Sequence, residues 1–125
     1  MKKENRFSFQ SRLKSIQYAF TGLLHFFKTE HNAWLHLIAT IIVSIVALVV
    51  GVTQTEAMAL IFAVALVWIT EILNTCIEKG MDVFTDQYHP KIKFIKDLSA
   101  GAVLVSAVVA LLIGLFVFIP KFIHL

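Results

Sequence analysis

The stretch WITEILNTCIEKGMD, residues 68–82, sets Glu71, Asn74, Thr75, Glu78 and Asp82 directly after fourteen residues, 57–70, that carry no charge. On a helix turning about 100° per residue, Glu71, Thr75, Glu78 and Asp82 fall within an arc of about 60°, and Asn74 widens it to about 100°. One helix face is therefore acidic and polar, and it rises about 16 Å from Glu71 to Asp82. Two or three carboxylates suit Mg²⁺, which takes hard oxygen ligands and leaves its remaining positions to water and phosphate. Lysines at the same level, such as Lys96, suit phosphoryl oxygens, and a carboxylate in a low-dielectric site suits the work of a general base. Plainer readings stand beside this one. Glu71 can pair with Lys96 or cap helix contacts as a buried polar clasp, and Glu78 and Asp82 can be a solvated helix end. A clasp, however, does not require further acids on the same stripe, and a charge near the bilayer centre costs about 2.5–3.5 kcal/mol.

Other chemistries find less support. The glycines Gly22, Gly51, Gly80, Gly101 and Gly114 are scattered, and no GxxxxGK[ST] phosphate loop is present, so an ATP site, if present, would have to be built from helix side chains. The histidines, His25, His31, His36, His89 and His124, share no helical spacing that points to a metal, and they read as interfacial or hydrogen-bonding groups. Cys76, the single cysteine, forms no intrachain disulfide and reads as a small packing residue.

The elements that must position the acidic face follow from composition. The 125 residues are 58% hydrophobic and 15% charged, and the mean hydropathy is +0.82, which marks an integral membrane protein. Apolar segments at 33–52, 57–77 and 98–119 each approach the roughly 20 residues needed to cross about 30 Å of hydrocarbon. With helical flanks added, the expected spans are about 33–52, 57–80 and 92–119. Before them, Phe9, Leu13, Ile16, Phe20, Leu23, Leu24 and Phe27 recur at three- and four-residue steps, opposite Lys14, Gln17, Thr21, His25 and Lys28. This predicts an amphipathic surface helix over about residues 6–29. The first 30 residues alternate aromatic and basic groups and do not resemble a cleavable signal peptide.

Of the eleven Lys and Arg residues, Lys2, Lys3, Arg6, Arg12, Lys14 and Lys28 precede the first span, Lys79, Lys91, Lys93 and Lys96 lie between the second and third, and Lys121 ends the chain. The positive-inside rule then places the N-terminus and the 79–96 loop in the cytoplasm and the C-terminus outside. Clustered at one membrane face, these cations serve topology and anionic headgroups or phosphates, and nucleic acid is not an expected partner. Gly51 and Thr53–Glu56 form a turn short enough to make the first two spans antiparallel neighbours. Pro90 suits the first turn of the last helix, expected near Lys91. Ala102, Ser106, Ala110 and Gly114, spaced by four, allow close helix approach within the chain or between copies of it. Glu30, Lys96 and Asp97 are expected at the depth of the acidic stripe.

EILNTCIEKGMD together with DQYHPKIKFIKDLSAGAVLV closely resembles the bacterial diacylglycerol kinase family of small membrane lipid kinases, which includes the undecaprenol kinases. The likeness runs without gaps from about residue 18 to about residue 115, through E-x-x-N-[ST]-x-[IV]-E-x-x-x-D, then Y-H, then K-D-x-[AGS]-[AS]. It implies an all-α membrane protein with an N-terminal surface helix and three transmembrane helices. It further implies a homotrimer in the cytoplasmic membrane, with active sites shared between subunits at the cytoplasmic face. By the same resemblance Glu71 is the proton acceptor for the lipid hydroxyl, and Glu30 and Glu78 are magnesium ligands. Tyr18, Glu30, Glu78, Gln87, Tyr88, His89, Lys96 and Asp97 contact ATP, with Asn74 and Asp82 supporting the site. Two positions depart from the Gram-negative type. Ser11 stands where that type has an arginine, leaving Arg12 as the neighbouring candidate, and His36 replaces a second glutamate. FKTEHNAWLH is nearer the TERNxxIH of the undecaprenol kinases, which tilts the expected acceptor toward undecaprenol, with diacylglycerol as the alternative.

Two readings from other classes compete with an ATP- and Mg²⁺-dependent lipid kinase. A small proton-coupled multidrug transporter also uses an intramembrane glutamate, but its acid belongs at the midplane, and a Lys-Asp pair at the same level competes for a cationic substrate. A membrane scaffold explains the small-residue stripe and leaves Glu71 without a role.

Overall fold

The computed structural model of the chain describes residues 7–124. Among them are four α-helices: α1, Phe9–Thr29; α2, His31–Val50; α3, Gln54–Phe84; and α4, Pro90–Ile123. Helices α2, α3 and α4 are each long and apolar enough to cross a membrane. The chain is an all-helical membrane protein. Lys2, Lys3, Arg6 and the expected start of the first helix at residue 6 lie outside the described residues.

The chain divides into two units, residues 1–35 and 36–125. In the first, α1 opens at Ser8, whose hydroxyl accepts from the Ser11 N–H at 3.1 Å, and Lys28 in its last turn complements the helix dipole. Glu30 ends α1 by turning extended, while its own N–H still donates to the Phe26 carbonyl at 2.9 Å. Phe27 meets Phe26 and Trp34 edge to face, with centroids 5.8 and 5.9 Å away. The Trp34 indole N–H donates to the Phe27 carbonyl at 2.9 Å, so an aromatic knot joins the end of α1 to the start of α2.

The second unit is a run of antiparallel helices. Gly51 adopts a φ of 69°, which a glycine takes without steric cost, and its N–H and that of Val52 both reach the Ala47 carbonyl, closing α2. Two residues on, the Thr53 hydroxyl accepts from the Glu56 N–H at 3.3 Å and the Glu56 carboxylate accepts from the Thr53 N–H at 2.8 Å. This capping box starts α3 at once, so stop and start signals packed into Gly51–Glu56 make a hairpin. At the other end of α3 only Thr85–His89 is non-helical. His89 caps α4, its Nδ1 accepting from the Lys91 N–H at 3.2 Å, and Pro90 takes the first helical position, one residue before the expected start.

Helices α3 and α4 form the closest-packed pair. Side chains bridge them at four levels: Lys96 to Asp82 at 2.8 Å, Ser99 to Asn74 at 2.7 Å, Ser106 to Thr70 at 2.8 Å and Lys121 to Glu56 at 2.9 Å. Ser106, the second of four residues in the expected small-residue stripe, is only 2% exposed and faces α3, while Ala102 faces out. Small side chains at this interface let hydroxyls bridge the helices. The polarity is inverted relative to a soluble domain. Phe62 and Phe116, 74% and 80% exposed, lie on the outside, and Glu71, Asn74, Ser99 and Ser106 are buried. Such an exterior suits hydrocarbon, where backbone groups must be satisfied within each helix. Thr40 and Ser44 likewise return their hydroxyls to carbonyls one turn back on α2.

Candidate active site

At 31 and 34 residues, α3 and α4 extend to about 46 and 51 Å and overrun a hydrocarbon layer of about 30 Å. The acidic face of α3 therefore passes from apolar surroundings to the loop at residues 85–89, and its members have different environments. Glu71 is 4% exposed. One carboxylate oxygen lies 3.3 Å from Nε2 of the half-buried His36 on α2. The Trp68 ring meets the His36 imidazole edge on at 6.0 Å and 61°, and the Trp68 indole N–H donates to the Thr40 hydroxyl at 2.9 Å. That hydroxyl in turn donates to the His36 carbonyl at 2.7 Å. Residues one turn apart on each helix thus stitch α2 to α3 at two adjacent points.

The pairing sets aside the plainer alternative in which Glu71 clasps Lys96. Lys96 goes to Asp82 because the antiparallel register sets the start of α4 beside the end of α3, and Ser106 occupies the place opposite Thr70, next to Glu71. Sequence reasoning passed over His36, Thr40, Trp68 and Ser99 as site members. In the sequence His36 reads as a hydrogen-bonding group and a departure from a glutamate, but its spacing from Trp68 carries no local period that would name its partner.

Below Glu71, buried Asn74 accepts from the Ser99 hydroxyl. Half-buried Glu78 follows within electrostatic reach of Lys96. Asp82, Gln87, Tyr88, His89, Lys96 and Asp97 then line one polar concavity of about 400 Å³, a volume in the range of small-molecule sites. The structure brings these predicted side chains together and adds Lys93, which pairs with Asp97 one turn along α4. Above Glu71, an apolar groove of about 480 Å³ runs between α2 and α3 past Val43, Leu60 and Val64. A smaller hollow beside His36 and Trp68 shares Thr40, Val43 and Val64 with it.

Arg12, Tyr18 and Glu30 belong to the first unit. The Arg12 guanidinium lies 4.7 Å over the Phe7 ring, Tyr18 is exposed, and the Glu30 carboxylate accepts from the Thr29 hydroxyl at 3.3 Å. Among the described residues no three His, Cys, Asp or Glu side chains converge as a metal cage. A site with one or two carboxylates fits Mg²⁺, which completes its shell with water and substrate phosphate.

A three-span membrane protein with a buried carboxylate beneath an apolar groove and a polar concavity beyond it is built to act where lipid meets water. Residues 17–118 match the family described as prokaryotic diacylglycerol kinase, and the chain belongs to that family. It is 36% identical over 119 residues to the undecaprenol kinase of Bacillus subtilis (strain 168), covering 95% of this chain and 97% of that one. It is 32% identical over 114 residues to a diacylglycerol kinase of Synechocystis, covering 90% of this chain and 65% of the relative. The diacylglycerol kinase of Escherichia coli (strain K12) is 30% identical over 108 residues, covering 86% and 88%. The chain is a membrane lipid kinase.

Proposed function

We propose that this kinase transfers the γ-phosphate of ATP to the terminal hydroxyl of undecaprenol. The observation that carries the reading is the placement of Glu71: out of water, held by His36, with an apolar groove on one side and the polar concavity on the other along the same helix. The acceptor's hydrocarbon tail lies along apolar helix faces while its hydroxyl reaches Glu71. Glu71 takes the hydroxyl proton as the oxygen bonds to the γ-phosphorus, the bond from that phosphorus to the β-γ bridging oxygen breaks, and ADP leaves. Gln87, Tyr88, His89 and Asp97 hold the nucleotide, with Tyr18 contributing a further contact, and Lys96 offsets charge on the phosphates. Asn74 and Asp82 brace the acidic face, and Arg12 assists binding. Glu30 and Glu78 would hold Mg²⁺, which when bound would supply charge neutralisation and alignment of the phosphates. Undecaprenol is preferred to diacylglycerol because the undecaprenol kinase of Bacillus subtilis is the more similar relative and matches over nearly its whole length.

The working form is a homotrimer with sites shared between neighbouring subunits. The apolar side of α1 lies in the headgroup layer, the loop at residues 85–89 faces the cytoplasm and the C-terminus faces out, in keeping with the lysine distribution. The test is phosphate transfer from labelled ATP by purified protein in vesicles containing either undecaprenol or diacylglycerol. Faster labelling of undecaprenol is expected, and comparable rates overturn the acceptor assignment. Glu71→Gln lowers turnover by about 10²–10⁴-fold. Wild-type turnover from folded Glu71→Gln protein removes the assigned base.

A further inference from the structure

We infer that His36 is a positioning residue that aims and holds the Glu71 carboxylate for proton transfer, an inference that rests on the reading of Glu71 as the acceptor of the hydroxyl proton. As the acceptor of the hydroxyl proton, Glu71 starts as a carboxylate, which only accepts hydrogen bonds, so in that reading the His36 Nε2 3.3 Å from its oxygen is the donor. The imidazole is itself fixed, by the edge of Trp68 against its ring and by the Trp68–Thr40–His36 chain of hydrogen bonds that locks the backbone beneath it. A side chain held this firmly sets the direction of the group it touches, as a buried histidine and carboxylate do for one another in hydrolases.

The residue type matters as much as the distance. A buried carboxylate needs a partner, and a lysine supplies one at the cost of basicity, because a fixed positive charge stabilises the ionised form and weakens it as a base. An imidazole N–H instead satisfies the oxygen as a directional hydrogen-bond donor. Lys96 does not fill that place, since it is bound to Asp82 three turns along α3. The arrangement gives a glutamate buried between apolar helices a fixed partner and a fixed direction.

The experiment compares His36→Leu, His36→Gln, Glu71→Gln and the double variant His36→Leu/Glu71→Gln in the same vesicles with undecaprenol, Mg²⁺ and ATP. His36→Leu keeps the bulk and loses the donor; kcat is expected to fall by about 10- to 100-fold with KM for ATP unchanged. His36→Gln keeps an N–H donor and should recover to within about threefold of wild type. Adding His36→Leu to Glu71→Gln should cause no further loss, because both act at one point. Full kcat in His36→Leu, or equal losses with Leu and Gln, overturns the inference while an inactive Glu71→Gln leaves the base assignment standing. An active Glu71→Gln instead brings down the base assignment. A second measurement does not depend on the folding of the leucine variant: ¹⁵N spectra of histidine-labelled protein should show His36 Nε2 protonated and its resonance displaced by Glu71→Ala. An unprotonated Nε2, or a resonance unmoved by Glu71→Ala, refutes the pairing.

Discussion

Two polar regions share helix α3, and they are built on opposite terms. Around Glu71 and Asn74 the polar groups are buried, held within a bundle whose outside is apolar, and each bond also joins two helices: Glu71 to His36, Asn74 to Ser99, Thr70 to Ser106. Around Asp82 and Lys96 the pairs are exposed, and they line an open concavity. In the first region, buried or half-buried, water competes little for the donors and acceptors, so the bonds specify helix register as well as chemistry. In the second, water screens the charges and exposed ion pairs hold little. A side chain there is free to exchange its partner for a phosphate without loosening the fold. Stability and ligand handling should therefore separate along one helix within a few turns.

Three substitutions test that separation. Asn74→Leu removes a buried interhelical acceptor and should lower unfolding free energy by about 1–2 kcal/mol, measured by titration from dodecylmaltoside into SDS. An unchanged midpoint would show that the buried row does not hold α3 to α4. Thr70→Val should cost less, about 0.6 kcal/mol, since the Ser106 hydroxyl keeps a carbonyl partner on its own helix. Smallest in stability is Lys96→Met, expected to leave the SDS midpoint unchanged while raising KM for ATP several-fold. A clear loss of stability with unchanged KM would reverse the roles given to the two regions.

The helices and the acidic face were legible because both follow from short-range rules. Hydrocarbon about 30 Å thick demands apolar runs of roughly 20 residues, and a turn of about 100° per residue puts Glu71, Glu78 and Asp82 on one side of α3 wherever the helix goes. Gly51, Thr53, Glu56 and Pro90 announced the helix ends because caps act through neighbouring backbone groups. The partners were less legible. Lys96 looked like a match for Glu71 because charge attraction has no direction, yet the Ser99–Asn74 and Ser106–Thr70 bonds set the register and deliver Lys96 to Asp82. His36 was one histidine among five, and its value depends on how far α2 is rotated about its own axis.

By itself the sequence determined that this protein is helical, crosses the membrane and carries a row of acids on one face of its second span. Those properties come from satisfying backbone groups in an apolar solvent and from helical periodicity, both local along the chain. Tertiary structure alone decided that Glu71 meets His36, that Lys96 meets Asp82 and that the loop residues gather in one concavity. Such pairings depend on the rotation and register of one helix against another, which no period within a single helix specifies.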